Sequence, residues 1–294
     1  EHILTRPDTY VGSVEQHTAD MYLYDTHTQR MTLKKIHYVP GLYKIYDEIL
    51  VNAADNKQRD ANMSEIRIDI DRAAGRVAVR NNGRGIPIVV HKEHGVYVPE
   101  LIFGHLLTSS NYDDAQRKVT GGRNGYGAKL ANIFSTEFVV ETSDKASGLQ
   151  FKQTFRNNMQ NMGKPEVKPS KGADYTRISW VADLAKFGMT ALDDDTVALM
   201  ERRAYDMAGC THSSVRVYLN GEKLPSSDSK GYLDLFLGAR HAPDATPRVF
   251  ERVSDRWELA VAASDDGFQQ VSFVNSIATT KGGTHVTHVA DQVV

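Results

Sequence analysis

Apolar residues beyond Pro40 recur with helical spacing: Leu42, Ile45, Tyr46, Ile49, Leu50 and Ala53 fall at i, i+3, i+4, i+7, i+8 and i+11. This predicts a long amphipathic helix opened by Pro40-Gly41. The period then drops to two. Ile66, Ile68 and Ile70 alternate with polar residues, Ala73-Ala74-Gly75 can turn, and Val77 and Val79 alternate again, which reads as a hairpin ending at Asn81-Asn82-Gly83. Val98 to Leu107 predicts a shorter helix, and Thr108 to Gly127 has no period and reads as a long loop of the kind that usually serves function. Helix resumes at Ala128–Phe134, followed by strands at Phe138–Thr142, Leu149–Phe155 and Tyr175–Val181. A third helix spans Asp194–Ala208, its acidic start suited to a helix N-terminus, and a strand at Val215–Leu219 runs into the turn Asn220-Gly221. Leu224 to Ser229 is the best linker candidate; beyond it Trp257–Ala263 and Val271–Asn275 predict strands of one hairpin turning at Asp265-Asp266-Gly267. The opening Arg6–Ser13 is turn-rich and reads as an arm or ordered loop.

The pattern predicts a mixed α+β domain over residues 1–225, then a second α/β piece over 226–294 that the C-terminus cuts short. A length of 294 residues fits about two domains. The lone cysteine, Cys210, excludes an internal disulfide and any multi-cysteine metal centre. No apolar run approaches the ~18 residues of a membrane span, so no membrane role is expected. The start at Glu1 without Met suggests a trimmed fragment. Formal net charge is −2, so a surface gripping phosphate backbones throughout is excluded, and nucleic-acid contact must be local or made by parts outside the chain.

Candidate chemistry lies in three blocks. Glu48, Asn52 and Asn56, at i, i+4 and i+8, form a polar stripe beside the apolar one on the first helix. A carboxylate there can orient or deprotonate water, and an amide oxygen can ligate a hard cation such as Mg²⁺; a solvated polar face would give the same stripe. Asn81-Asn82-Gly83-Arg84-Gly85 puts an amide and two glycines at a strand end, where a base edge could be met. Gly121-Gly122-Arg123-Asn124-Gly125-Tyr126-Gly127-Ala128-Lys129 runs into a helix, so its backbone N–H groups, Arg123 and Lys129 suit phosphate. Ala128-Lys129 stands where a P-loop needs Lys-Ser/Thr, which excludes Walker A. His91/His94 and His285/His288 lack the HExxH pattern and read as surface histidines, while Asp193-Asp194-Asp195 reads as a helix cap. Taken in order, the three blocks describe a nucleotide pocket without a P-loop.

These blocks resemble the ATP-binding fold shared by DNA gyrase, the ninety-kilodalton heat-shock chaperones, sensor histidine kinases and MutL. Glu48 to Asn56, Leu107-Thr108-Ser109-Ser110-Asn111-Tyr112, Gly121 to Lys129 and Phe268 to Thr279 are similar, more narrowly, to the ATPase region of eukaryotic-type DNA topoisomerase II, over the whole chain. The resemblance implies a two-layer sandwich, a mixed sheet with helices on one face, followed by a truncated α/β transducer domain, with a dimerisation arm over about residues 1–20. Glu48 matches the general base and Asn52 the Mg²⁺ ligand. Asn56 and Asn81 match pocket residues, Asn81 standing where the superfamily has Asp for the adenine amino group, with Thr176 assisting. Ser109, Ser110 and Asn111 match ribose and phosphate contacts, and Gly122, Arg123, Asn124, Gly125, Tyr126, Gly127, Ala128 and Lys129 match the phosphate-binding lid. Lys281, Gly282 and Gly283 match a DNA-contacting loop. The family's Gln-Thr-Lys loop, whose lysine reaches the γ-phosphate, is absent here, so turnover by this chain is expected to be weak.

What the resemblance implies is the ATPase portion of a type IIA topoisomerase, unable by itself to cut DNA. ATP and Mg²⁺ would close a homodimeric gate around a transported segment of double-stranded DNA, in the nucleus. The alternatives are a MutL-like or chaperone-like ATP-gated clamp and an assembly module that binds ATP without hydrolysing it.

Overall fold

A computed structural model describes residues 2–106, 126–225 and 228–293. In chain order the helices and strands are α1 (His2–Thr5), α2 (Pro7–Tyr10), β1 (His17–Asp25), β2 (Arg30–Tyr38), α3 (Pro40–Arg59), β3 (Glu65–Asp71), β4 (Arg76–Asn81), α4 (Val98–Gly104), α5 (Gly127–Ile133), β5 (Ser135–Asp144), β6 (Leu149–Arg156), β7 (Asn161–Met162), β8 (Glu166–Pro169) and β9 (Tyr175–Ala182). They continue with α6 (Asp194–Cys210), β10 (Arg216–Leu219), β11 (Glu222–Lys223), α7 (Ser229–Leu237), β12 (Arg248–Ser254), β13 (Trp257–Ala262), β14 (Phe273–Val274), β15 (Ile277–Ala278) and α8 (Thr284–Val293).

The central sheet runs β11-β10-β3-β4-β9-β5-β6-β7, with β8 also on β6; it is antiparallel except for the parallel β10–β3 pair, so it is mixed. Alternation along its strands separates the faces. Ile66, Ile68, Ile70, Val77, Val79, Phe138, Val140, Ile178 and Trp180 enter the core beneath α3, α5 and α6. The opposite parity carries charge, with Arg67 paired to Glu65 at 2.6 Å and Arg177 to Glu141 at 2.9 Å. This is the predicted two-layer α+β arrangement. Among the described residues no helix is long and apolar enough to cross a membrane.

α3 begins with Pro40 in its first turn, where a missing N–H costs nothing, and ends with Lys57 and Arg59 against the carbonyl end of the dipole. The Gly41 N–H donates to the Ser13 carbonyl at 2.8 Å, and a Cβ on Gly41 would come within 3.0 Å of that oxygen, so the N-terminal segment crosses the start of α3 closely. Within Arg6–Ser13, expected as an arm or ordered loop, Pro7–Tyr10 forms the short helix α2, with α1 just ahead of it, and Ile3 and Val11 bury into the core. Asp193 caps α6, its carboxylate accepting from the Thr196 N–H at 2.8 Å, so the Asp193–Asp195 run is a cap as expected.

The expected hairpin about Asp265–Gly267 is not formed. β13 pairs instead with the upstream β12, and Phe273–Val274 pairs with Ile277–Ala278 across Asn275-Ser276. Local turn residues were present at Asp265–Gly267, but β12 supplied a longer partner for β13. The β1–β2 ribbon was not foreseen; its half-buried, mixed alternation carries little apolar signal. Asp228, in the expected linker, caps α7 by accepting from the Gly231 N–H at 2.7 Å.

Candidate functional site

Glu48, Asn52 and Asn56 stand on successive turns of α3, and the helix is set so that Glu48 faces the first turn of α5. The approach is close. A Cβ built on Gly127 would lie 1.9 Å from Glu48 Oε2 and 3.1 Å from its Cβ, so only glycine lets the start of α5 reach the carboxylate. Glu48 Oε1 also accepts from Lys44 Nζ at 2.5 Å, one turn earlier on the same helix. Gly127→Ala is expected to push the Glu48 carboxylate aside and leave the fold intact, because the colliding atoms end a side chain. A crystal structure of the variant checks this, and an unmoved carboxylate would refute it.

At the far end of the stripe Asn56 is buried and donates from Nδ2 to Asn81 Oδ1 at 2.7 Å and to the Arg84 carbonyl at 3.1 Å. Asn81, buried at the end of β4, also accepts from the Gly83 N–H at 3.1 Å. A Cβ on Gly83 would meet Asn56 Nδ2 at 2.6 Å, and one on Gly85 would meet the Ser143 carbonyl oxygen at 1.9 Å. The glycines of this turn are therefore needed for packing against α3 and β5. Register places Thr176 of β9 opposite Asn81, and its hydroxyl lies 3.1 Å from that of Thr142. Thr142, fully buried, donates to the Tyr175 carbonyl at 2.9 Å and accepts from the Ile86 N–H at 3.0 Å. Thr142 was missed from sequence: it reads as one more strand residue, and its partner lies across a strand pair. Asp174 was missed likewise; its carboxylate accepts from the Lys145 and Gly85 N–H groups at 2.8 and 3.3 Å.

Lys129 lies two residues into α5 and is only 1% exposed. Burial penalises its ammonium and lowers its pKa, the state of a cation from which water has been removed. Gly127 thus meets Glu48, and Asn56 meets Asn81 with Thr176 opposite it in register; Asn52 lies on the same helix between Glu48 and Asn56, and Tyr126, Ala128 and Lys129 flank Gly127 at the start of α5. Ser109, Ser110, Asn111, Gly122, Arg123, Asn124 and Gly125 lie outside the described residues. Lys281, Gly282 and Gly283 do not join this cluster. They form a separate turn ahead of α8, Gly282 and Gly283 at φ +74° and +153°, closed by the Gly282 N–H on the Thr279 carbonyl at 2.9 Å. An open groove of about 610 Å³ lined by Asp60, Glu65, Arg80 and Lys145 contains none of the predicted site residues.

Residues 38–173 match the histidine kinase-, DNA gyrase B-, and HSP90-like ATPase family, and residues 228–294 match DNA gyrase B. The chain is 55% identical over 300 residues to DNA topoisomerase 2 of Penicillium chrysogenum and 56% identical over 296 residues to DNA topoisomerase 2-alpha of Homo sapiens, covering 100% of this chain and 19% of each relative. It thus spans about one-fifth of the length of these curated relatives. Among solved structures it is similar to the ATPase region of Saccharomyces cerevisiae topoisomerase II, with TM-score 0.94 and 50% identity over 99% of this chain and 76% of that one. It is also similar to the ATPase and transducer domains of DNA topoisomerase II from Balamuthia mandrillaris, with TM-score 0.93 and 52% identity over 100% of this chain and 74% of that one.

Proposed function

We infer function from one premise: this chain belongs to the family of DNA topoisomerase 2 ATPase regions. We propose that it binds ATP with Mg²⁺ between α3 and the start of α5 and hydrolyses it. Binding would bring two copies together as a gate around a segment of double-stranded DNA, and hydrolysis would reopen the gate. Residues 1–225 would form the nucleotide-binding unit and residues 226–294 a transducer piece, working in the nucleus where that DNA lies.

The close approach of Gly127 to Glu48 supports this reading most, because it brings the carboxylate and the lid's end together at one site. Phosphoryl transfer asks a protein mainly for positioning and charge neutralisation. The Asn56–Asn81 pair and the Thr142–Thr176 hydroxyls would meet the base, and Ser109, Ser110 and Asn111 the ribose and phosphates. Gly122–Ala128 would supply backbone N–H donors, with Arg123 and Lys129 adding full charges. Burial disfavours the charged form of Lys129, and a phosphate beside it would favour that form. Glu48 would release Lys44 and take the proton of the attacking water.

The donor set suits a hard cation. Asn52 offers an amide oxygen, is partly exposed, and stands one turn from Glu48. Mg²⁺ bound there would neutralise phosphate charge. Asn52→Ala is expected to weaken Mg²⁺-dependent ATP binding by about tenfold, the loss of one good ligand contact at roughly 1.4 kcal/mol. Isothermal titration with and without Mg²⁺ measures this, and an unaltered dissociation constant removes Asn52 from the ligand set.

The decisive test pairs light scattering in a non-hydrolysable ATP analogue with phosphate release in ATP. The expected result is a nucleotide-dependent dimer and slow phosphate release; a chain that stays monomeric and releases none would overturn the reading. A DNA contact at Lys281, Gly282 and Gly283 can only be local, since residues 226–294 carry six Lys/Arg against nine Asp/Glu, a net of −3. Lys281→Glu is expected to lower DNA-stimulated hydrolysis and spare the DNA-free rate, and equal stimulation would exclude that contact.

A further inference from the structure

Asp47 precedes Glu48 on α3 and, about 100° round the helix from it, meets Arg203 of α6. There its carboxylate accepts from Arg203 Nε at 2.7 Å. Arg203, itself a residue of α6, is completely buried, and its Nη2 reaches away from the helix to donate to the Ser276 carbonyl at 2.5 Å. Its guanidinium carbon lies 5.9 Å from the centre of the Phe273 ring. Both contacts beyond α6 belong to the β14–β15 hairpin, in the part of the chain that matches DNA gyrase B. One guanidinium therefore joins the helix carrying Glu48 to a hairpin more than two hundred residues later in sequence.

The hairpin end of this link is held in a costly geometry. Asn275 and Ser276 occupy its two turn positions at φ 50° and 63°, left-handed conformations that non-glycine residues seldom adopt. That turn aims the Ser276 carbonyl at Arg203. On the other side, Tyr232 of α7 packs edge-on to Phe273 at 5.9 Å and donates its hydroxyl to Asp206 of α6 at 2.6 Å. A forked, permanently charged donor suits such a position, because a lysine ammonium cannot span two acceptors in fixed directions.

We propose that Arg203 is a positioning residue for hydrolysis: by holding Asp47 and the Ser276 carbonyl together, it makes the aim of Glu48 depend on where the 273–278 hairpin sits. The proposal rests on the reading of Glu48 given above. Displacing the hairpin would pull on Arg203, turn α3 through Asp47, and shift Glu48 relative to Gly127. Displacements of about 1 Å in a reacting group can cost on the order of a hundredfold in rate, so a small movement suffices.

The test compares kcat for ATP hydrolysis, corrected for folded fraction, with the dissociation constant of a non-hydrolysable ATP analogue. Arg203→Lys is expected to lower kcat by about tenfold and change the dissociation constant by less than about twofold. Asn275→Val, a β-branched residue at positive φ, should lower kcat likewise from the hairpin end, whereas Asn275→Gly, which tolerates that φ, should preserve it. The double variant Arg203→Lys/Asn275→Val should be no slower than Arg203→Lys alone, because both break one link. Normal kcat in Arg203→Lys, or rate losses that multiply in the double variant, would overturn the proposal and leave the assignment of Glu48 standing. Full turnover in Glu48→Gln would remove that assignment and this proposal together.

Discussion

Glu48→Gln is expected to abolish all but a small residue of ATP turnover while the chain still folds and binds nucleotide. The amide keeps the size and hydrogen-bonding reach of the carboxylate but cannot accept a proton from water, and positioned general bases contribute about 10²–10⁴-fold. Stability should scarcely change. The ion pair that Gln would reduce to a neutral hydrogen bond is with Lys44, 45% exposed on its side chain, and exposed ion pairs on a helix contribute little. Loss of kcat with an unaltered dissociation constant for a non-hydrolysable analogue is the expected outcome. A rate within a few-fold of the unsubstituted chain would show that water is activated elsewhere.

Asp47→Ala is expected to act on stability, with the larger structural effect of any single change proposed. Arg203 is wholly buried and always charged, so removing Asp47 takes away the carboxylate that accepts from its Nε and leaves the Ser276 carbonyl and the more distant charge of Asp206 to offset a desolvated cation. Removing one member of a buried pair costs about 3–5 kcal/mol, because the other stays uncompensated. For a chain of this size the midpoint of thermal unfolding should fall by roughly 10 °C. The double variant Asp47→Ala/Arg203→Met should recover much of that loss, since replacing both partners by apolar groups avoids the orphaned charge. Scanning calorimetry of the three proteins checks this; a single variant as stable as the parent would mean that the pair carries no desolvated charge.

Nearby Cys210 illustrates the same buried environment. Burial pushes its thiol up to about 11, outweighing the opposing pull of Arg203. It is a packed residue of α6, and the thiolate is scarce at neutral pH.

Much of the site could be read from local spacing because its polar residues sit on regular elements. Helical period alone puts Glu48, Asn52 and Asn56 on one face of α3, and two glycines after Asn81 signal a turn that must approach something closely. The strands of the central sheet alternate cleanly because one face is buried, so their inward residues could be picked in advance. Turn chemistry was a poorer guide where burial was slight. In residues 248–278 short, half-exposed strands offer several plausible partners, and β13 paired with β12, away from the Asp265–Gly267 turn.

Local patterning therefore sufficed for α3, α6 and the central strands β3–β6, β9 and β10, for the composition of the α3 face and for the glycines beside it, since each depends on backbone geometry repeated every two or 3.6 residues. Three-dimensional packing settled the rest: that Glu48 meets Gly127, that Thr142 backs Thr176, and that Arg203 binds Asp47 and the Ser276 carbonyl at once. Those contacts join groups 34 to 156 residues apart, and their formation depends on strand register and helix packing that no local period encodes.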